Sequence, residues 1–142
     1  MDLATTTVGE PAADLFFSLD QERQLTAEVQ ANPQSAARDE LAKQRVVTDR
    51  AVSAFRPLTA VNAANAQEGL TDAIARTDRG LGLLDQQRGA VDAGWSSTKA
   101  AFDYYSGLLE SDLGVLTALS HTDHGEVNSK AQTLVDLSGS ST

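Results

Sequence analysis

The chain has 142 residues, three prolines, no cysteine and a formal charge of −9, enough length for one domain with a modest core. The absence of thiols excludes disulfides and thiolate chemistry. The acidic balance argues against a nucleic-acid or anionic-membrane surface, which needs clustered lysine and arginine. An anion is opposed at long range only, because surface charge fades over about 8 Å at physiological salt and a local arginine pocket can still win. Alanine and leucine are the commonest residues and aromatics are scarce, which predicts an all-α protein. No apolar run approaches the roughly 20 residues of a membrane span, and no signal peptide is visible.

Residues 1–10 lack periodicity and read as a flexible N-terminus. Pro11 suits the first turn of a helix, where its missing N–H is not needed, and that helix is expected over 11–31. Its inward stripe is Leu15, Leu19, Glu22, Thr26 and Val29, in alternating steps of four and three, with Arg23 on the shoulder. A turn at Asn32 and Pro33 leads to a second helix, with Ser35 as a candidate cap and Pro57 as its weak end. Its stripe is Leu41, Arg45, Thr48, Val52 and Phe55. Folding this hairpin brings Glu22 level with Arg45. An ionisable layer inside a helical seam is unfavourable unless paired, so it sets register or binds something.

Asn65 and Glu68 resemble a capping box opening a third helix that runs unbroken to Trp95. The stripe there is Leu70, Ile74, Thr77, Leu81, Leu84, Arg88, Val91 and Trp95, with Arg88 its only charge. Gly80, Gly82 and Gly89 each cost about 1 kcal/mol relative to alanine inside a helix, and close helix contact is the expected compensation. Residues 94–97 break the pattern, and Ser96 or Ser97 can cap a fourth helix over about 98–120. Phe102, Tyr105, Leu109, Leu113 and Leu116 form its face, with Leu108 and Leu119 alongside. A short fifth helix is expected over about 126–137, using Val127, Ala131 and Leu134, with 140–142 frayed. The expected architecture is an all-α, antiparallel helical bundle of four main helices plus a short C-terminal helix, folded over 11–139.

The run Leu19, Asp20, Gln21, Glu22, Arg23, Gln24, Leu25, Thr26, followed by Gln44, Arg45, Thr48, Asp49 and Phe55, resembles the nitrate- and nitrite-sensing (NIT) domain. Leu83, Leu84, Arg88, Val91 and Asp92, then Tyr105, Leu108, Leu109 and Leu116, extend the likeness over about residues 14–120. The resemblance implies the extracytoplasmic sensor of an actinobacterial membrane histidine kinase, close to a short conservon-type member. It also implies an anion, nitrate or nitrite, held by Arg23. The family's second motif, K-E…E-R, is absent from this sequence. Either it lies outside this stretch, or a dimer mate supplies an arginine, or this member senses something else. The last two are favoured, because the glycine–serine tail looks like a natural end of the folded part. On this reading the chain is a soluble piece from between two transmembrane helices, with Met1 an added start.

Guanidinium suits a planar oxyanion because its N–H fork matches two oxygens at once. Arg23, Arg45 and Arg88 are therefore the candidate ligands, with Thr26 and Thr48 as hydroxyl donors. Against them stand Glu22, Asp49 and Asp92, so a closed salt-bridge network explains the arginines equally well. The threonine hydroxyls can equally bond back to their own helices. His121, Asp123 and His124, at the expected helix end, are weak zinc candidates, since a closed site takes four rigid ligands. Histidines at the negative end of a helix dipole explain them more simply. Trp95, Phe102, Tyr104 and Tyr105 read as core or interface anchors, with at least one tyrosine free to reach a partner. No nucleophile elbow, phosphate loop or catalytic dyad is present, and no cofactor is expected. A homodimer is expected because wide apolar helix faces need more cover than one short chain provides, and because the kinases it resembles are dimers. Two alternatives remain open: a ligand-free dimerisation and relay module with structural arginines, or a sensor of a different ligand.

Overall fold

The computed structural model describes residues 8–61 and 68–130, with the side chains of 61, 68 and 121–130 excepted. Six helical segments follow one another: α1 (Glu10–Ala31), α2 (Ala37–Phe55), α3 (Leu58–Val61), α4 (Glu68–Leu81), α5 (Leu84–Ala93) and α6 (Thr98–Lys130). No strand occurs among the described residues. The fold is the all-α bundle that the periodicity predicts.

Local chemistry explains most boundaries. Pro11 sits in the first turn of α1, where no amide donor is lost. After α1, the Asn32 side chain accepts from the Gln34 amide at 3.2 Å and its carbonyl accepts from Ser35 at 3.0 Å. That local turn, with Pro33 inside it, reverses the chain. Ser35 Oγ accepts from the Ala37 amide at 3.2 Å, and Ser97 Oγ accepts from Ala100 at 2.9 Å, so both expected serines serve the helices that follow them. Gly94 ends α5 in the left-handed region at φ 80°, where an L side chain would be strained. The Asn65 capping box lies outside the described residues.

Four long rods result, with α4 and α5 forming the third. Cross-links fix their directions. Gln44 and Thr48 of α2 reach the Ser18 carbonyl of α1, Gln30 of α1 reaches the carbonyls of Ser96 and Ser97 just before α6, and Tyr104 of α6 donates to the Gly80 carbonyl of α4 at 2.6 Å. Arg56 pairs with Asp78 and Arg45 with Asp92, tying α2 to the α4–α5 rod. Each of these pairs runs antiparallel. α1 therefore lies diagonally across the bundle from α4 and α5. Leu15, Leu19, Phe55, Ile74, Leu81, Tyr105, Leu108 and Val115 fill the centre.

Four expectations need correction. The third helix is not unbroken: a turn at Gly82 and Leu83 separates α4 from α5, with the Gly82 amide shared between Asp78 and Arg79 carbonyls. Two glycines within three residues weaken the helix there, yet Leu81 and Leu84 remain buried on one side. The stripe also stops short of Trp95, which is 84 % exposed because α5 has already ended at Ala93. In α6 the buried face runs through Ala101, Tyr105, Leu108, Asp112, Val115 and Leu119, leaving Phe102 and Leu113 about half exposed. Finally, α6 continues to Lys130 with no boundary near residue 120, since one glycine at 125 does not outweigh the continuous ladder around it. Residues 131–137 of the expected fifth helix lie outside the described residues.

The glycines divide by position. A Cβ on Gly80 would come within 2.6 Å of Leu108 Cδ2, so the predicted close helix contact is real there. At Gly89 nothing lies within 4 Å, and close packing does not account for that residue.

Candidate functional site

The bundle's interior changes character one layer above its apolar centre. Glu22 of α1 is completely buried. Arg88 of α5 answers it as a two-pronged donor, Nε to Oε2 at 2.8 Å and Nη2 to Oε1 at 2.9 Å. The same guanidinium gives Nη1 to Asp49 of α2 at 2.7 Å. Tyr105 of α6 donates its phenol to Glu22 Oε2 at 2.5 Å. Arg45 of α2 brings Nε to 3.9 Å from Glu22 and donates Nη1 to Asp92 of α5 at 2.9 Å. Every rod of the bundle thus supplies at least one group to a single polar layer.

The electrostatics follow from burial and pairing. Burial works to lower the Arg88 pKa, but the hydrogen bond and charge of Glu22, then those of Asp49, outweigh it and hold the pKa above the ordinary arginine value. Burial first, then the Glu22 charge, raises the phenols of Tyr104 and Tyr105 above the ordinary tyrosine range. Tyr105 therefore stays neutral and remains a donor to Glu22. A charged arginine facing a buried carboxylate with all its oxygens engaged is a stable arrangement only as a unit.

The sequence-predicted residues separate into two groups. Arg45 and Arg88 meet around Glu22; the hairpin argument anticipates the approach of Arg45, whereas the closer partner, Arg88, comes from α5. Arg23 does not join them. It turns toward α6, with Nη1 on Ser106 Oγ at 2.9 Å, Nη2 on Asp20 at 2.8 Å and its plane 4.6 Å above the Phe102 ring. Its side chain keeps about a quarter of its exposure, and its Nε has no hydrogen-bond partner among the described residues. Thr48 is buried and donates to the Ser18 carbonyl at 3.3 Å, tying α2 to α1 rather than opening toward a ligand. Thr26 is buried beside Tyr105. His121, Asp123 and His124 lie on the continuous backbone of α6 and not at a helix end, and their side chains are outside the described set. Among the described residues no group of three His, Cys, Asp or Glu side chains could hold a metal.

Two interior polar groups went unpredicted, Tyr105 in the layer and Asp112 away from it. Tyr105 was expected in the core, but its hydrogen bond to Glu22 was not foreseen. Asp112 is completely buried on α6 with neither oxygen partnered among the described residues, and burial pushes its pKa up to about 8. A signal for it does exist: Ala101, Tyr105, Leu108, Asp112, Val115 and Leu119 follow four-three steps, with one acid in an apolar stripe.

A family model described as nitrate and nitrite sensing (NIT) matches residues 14–141. The chain belongs to the NIT family. The match covers most of the sequence and extends beyond the 14–120 span in which the motifs are found. Comparison with curated proteins and with solved structures gives no match. This NIT domain is accordingly a sensor domain of the kind found in signalling proteins, and not a catalytic one. Among its described residues no helix is long and apolar enough to cross a membrane. Among the described residues the hydrogen-bond partners of Arg23 are Ser106 and Asp20, and the other two interior arginines are engaged with acids.

Proposed function

We propose that this NIT domain is the extracytoplasmic sensor of a membrane-anchored, homodimeric two-component histidine kinase. In this reading it binds nitrate or nitrite at Arg23, and passes the signal on as a shift of helix against helix. The observation that carries the reading is the Glu22 layer. One group or more from each rod meets there, so a displacement of about 1–2 Å between any two rods must break or remake a charge-assisted bond. Packed, paired layers of this kind shift between discrete arrangements more readily than they deform by degrees, which suits a switch coupled to flanking transmembrane helices.

Arg23 is the contact point because it keeps more exposure than Arg45 or Arg88, and because Asp20, which now holds one prong, sits near the surface. A planar anion replacing Asp20 would find a matching fork beside the Ser106 hydroxyl. The dimer is supported by Phe17 on α1 and Phe102 and Leu113 on α6, all large apolar side chains left exposed. Phosphorylation would belong to the kinase domains of the parent chain.

A second reading has its own support. Arg45 and Arg88 are matched to Asp92, Asp49 and Glu22, as in a ligand-free dimerisation and relay module with structural arginines. Thermal melting in sodium nitrate against sodium chloride, at equal ionic strength, separates the two. An anion at a hundred times its Kd adds about 2.7 kcal/mol to native stability. A nitrate-specific rise in Tm that disappears in Arg23→Ala is the expected result. Identical curves up to high millimolar nitrate would leave the relay reading in possession.

A further inference from the structure

A cavity lies away from Arg23, at the end of the bundle where the α1–α2 turn faces the α5–α6 connection. Its volume is about 740 Å³, within the range of small-molecule sites. Arg38 and Arg45, two turns apart on one side of α2, line it together with Asp92 of α5, giving two cations and one carboxylate. Val29, Leu41 and Val91 supply apolar wall. On a chain of charge −9, this local positive excess stands out.

The polar groups here are incompletely used. Arg45 gives one prong, Nη1, to Asp92, while its Nη2 has no hydrogen-bond partner among the described residues. Asp92 is 60 % exposed, and such a rim pair is easily exchanged. Gln30 donates its amide N–H groups to the Ser96 and Ser97 carbonyls, which orients the side chain and leaves its buried Oε1 without a partner. A carboxylate that displaces Asp92 can take both prongs of Arg45 with Arg38 alongside. That exchange frees the Asp92 carboxylate, which together with Gln30 Oε1 then offers acceptors for a neighbouring ammonium.

We propose that this cleft is a binding site for a small neutral α-amino acid with an apolar side chain: its carboxylate on Arg45 and Arg38, its ammonium on Asp92 and Gln30, and its side chain against Val29, Leu41 and Val91. Occupancy reaches the Glu22 layer directly. The Arg45 carbonyl accepts from Arg88 Nη2 at 3.4 Å and its Nε lies 3.9 Å from Glu22, so turning the Arg45 fork toward the cleft alters the layer's pairing. The binding step stands independently of nitrate recognition; only its consequence for signalling rests on the sensor reading above.

Trp95, the chain's single tryptophan, is exposed on the connection between the lining residues Gly94 and Ser96, which makes it the natural reporter. The test titrates the domain with L-alanine, L-valine, L-leucine and L-methionine, each against acetate and nitrate at equal ionic strength. Tryptophan emission is read together with the amide resonances of residues 30, 38 and 96–98. The expected result is a saturable change with at least one amino acid and none with acetate or nitrate. Binding should weaken about tenfold or more in Arg45→Lys, which keeps the charge and loses the fork. It should also weaken in Arg38→Ala, an exposed site whose replacement leaves the fold intact. No saturable change in either readout, an equal response to acetate, or binding indifferent to both substitutions would overturn the proposal. A nitrate shift in Tm without amino-acid binding would defeat the cleft and leave the nitrate reading standing; the opposite pattern would do the reverse.

Discussion

Replacing Glu22 with glutamine removes the one negative charge that faces Arg88 inside the bundle while keeping nearly the same shape. Arg88 is 9 % exposed and would retain only Asp49, itself 60 % exposed, as a charged partner at hydrogen-bond distance. Two charge-assisted bonds at 2.8 and 2.9 Å and the acceptor for Tyr105 would be lost or weakened. Stranding one member of a buried pair typically costs about 3–5 kcal/mol, because the remaining charge has lost water and gained nothing. For a domain of this size that lowers Tm by about 10 °C. Glu22→Gln, Arg88→Met and the double variant, melted by circular dichroism at pH 7, form a cycle. Each single variant should show the large loss, and the double variant should lose less than their sum by about 2 kcal/mol, since it leaves no stranded charge. Single losses below about 1 kcal/mol that simply add would refute the idea of an interdependent layer.

Two other perturbations test the interior away from that layer. Asp112 has a folded pKa of about 8 against an ordinary 3.8, so the native state binds the extra proton. Its stability contribution is then complete below about pH 3.8 and drains away as pH rises toward 8, at up to about 1.4 kcal/mol per pH unit. Asp112→Asn should therefore melt higher than the parent at pH 7.5, with the gap narrowing steadily as pH falls and closing only near pH 3.8; parallel pH–Tm curves would show that Asp112 is solvated or paired. Alanine at Gly80 must push against Leu108 in the core and should cost about 1–2 kcal/mol. Alanine at Gly89, with open space around it, should gain up to about 1 kcal/mol from helix propensity. Denaturant midpoints shifting in the same direction for both glycines would contradict the assigned contacts.

The sequence by itself determined the all-α class, the inward stripes of α1, α2 and most of the α4–α5 rod, and the presence of an interior charge layer. Four-three spacing is a property of the chain alone, so Leu15, Leu19, Glu22 and Thr26, or Leu81, Leu84 and Arg88, could be placed on buried faces without coordinates. Motifs spread along the chain likewise sufficed for the family. Periodicity does not say which of two adjacent stripes on a broadly apolar helix turns inward, and α6 is such a helix. Packing against α1 and α4 chose the stripe with Tyr105 and Asp112 over the one with Phe102 and Leu113. Nor can spacing tell which arginine meets which acid, because that depends on the relative height and rotation of separate rods. Arg88 took Glu22 from diagonally across the bundle, and Arg23, next to Glu22 in sequence, turned outward to Asp20, Ser106 and Phe102. Successive residues on a helix point about 100° apart, so neighbours in the chain belong to different environments, and only the tertiary arrangement assigned each its partner.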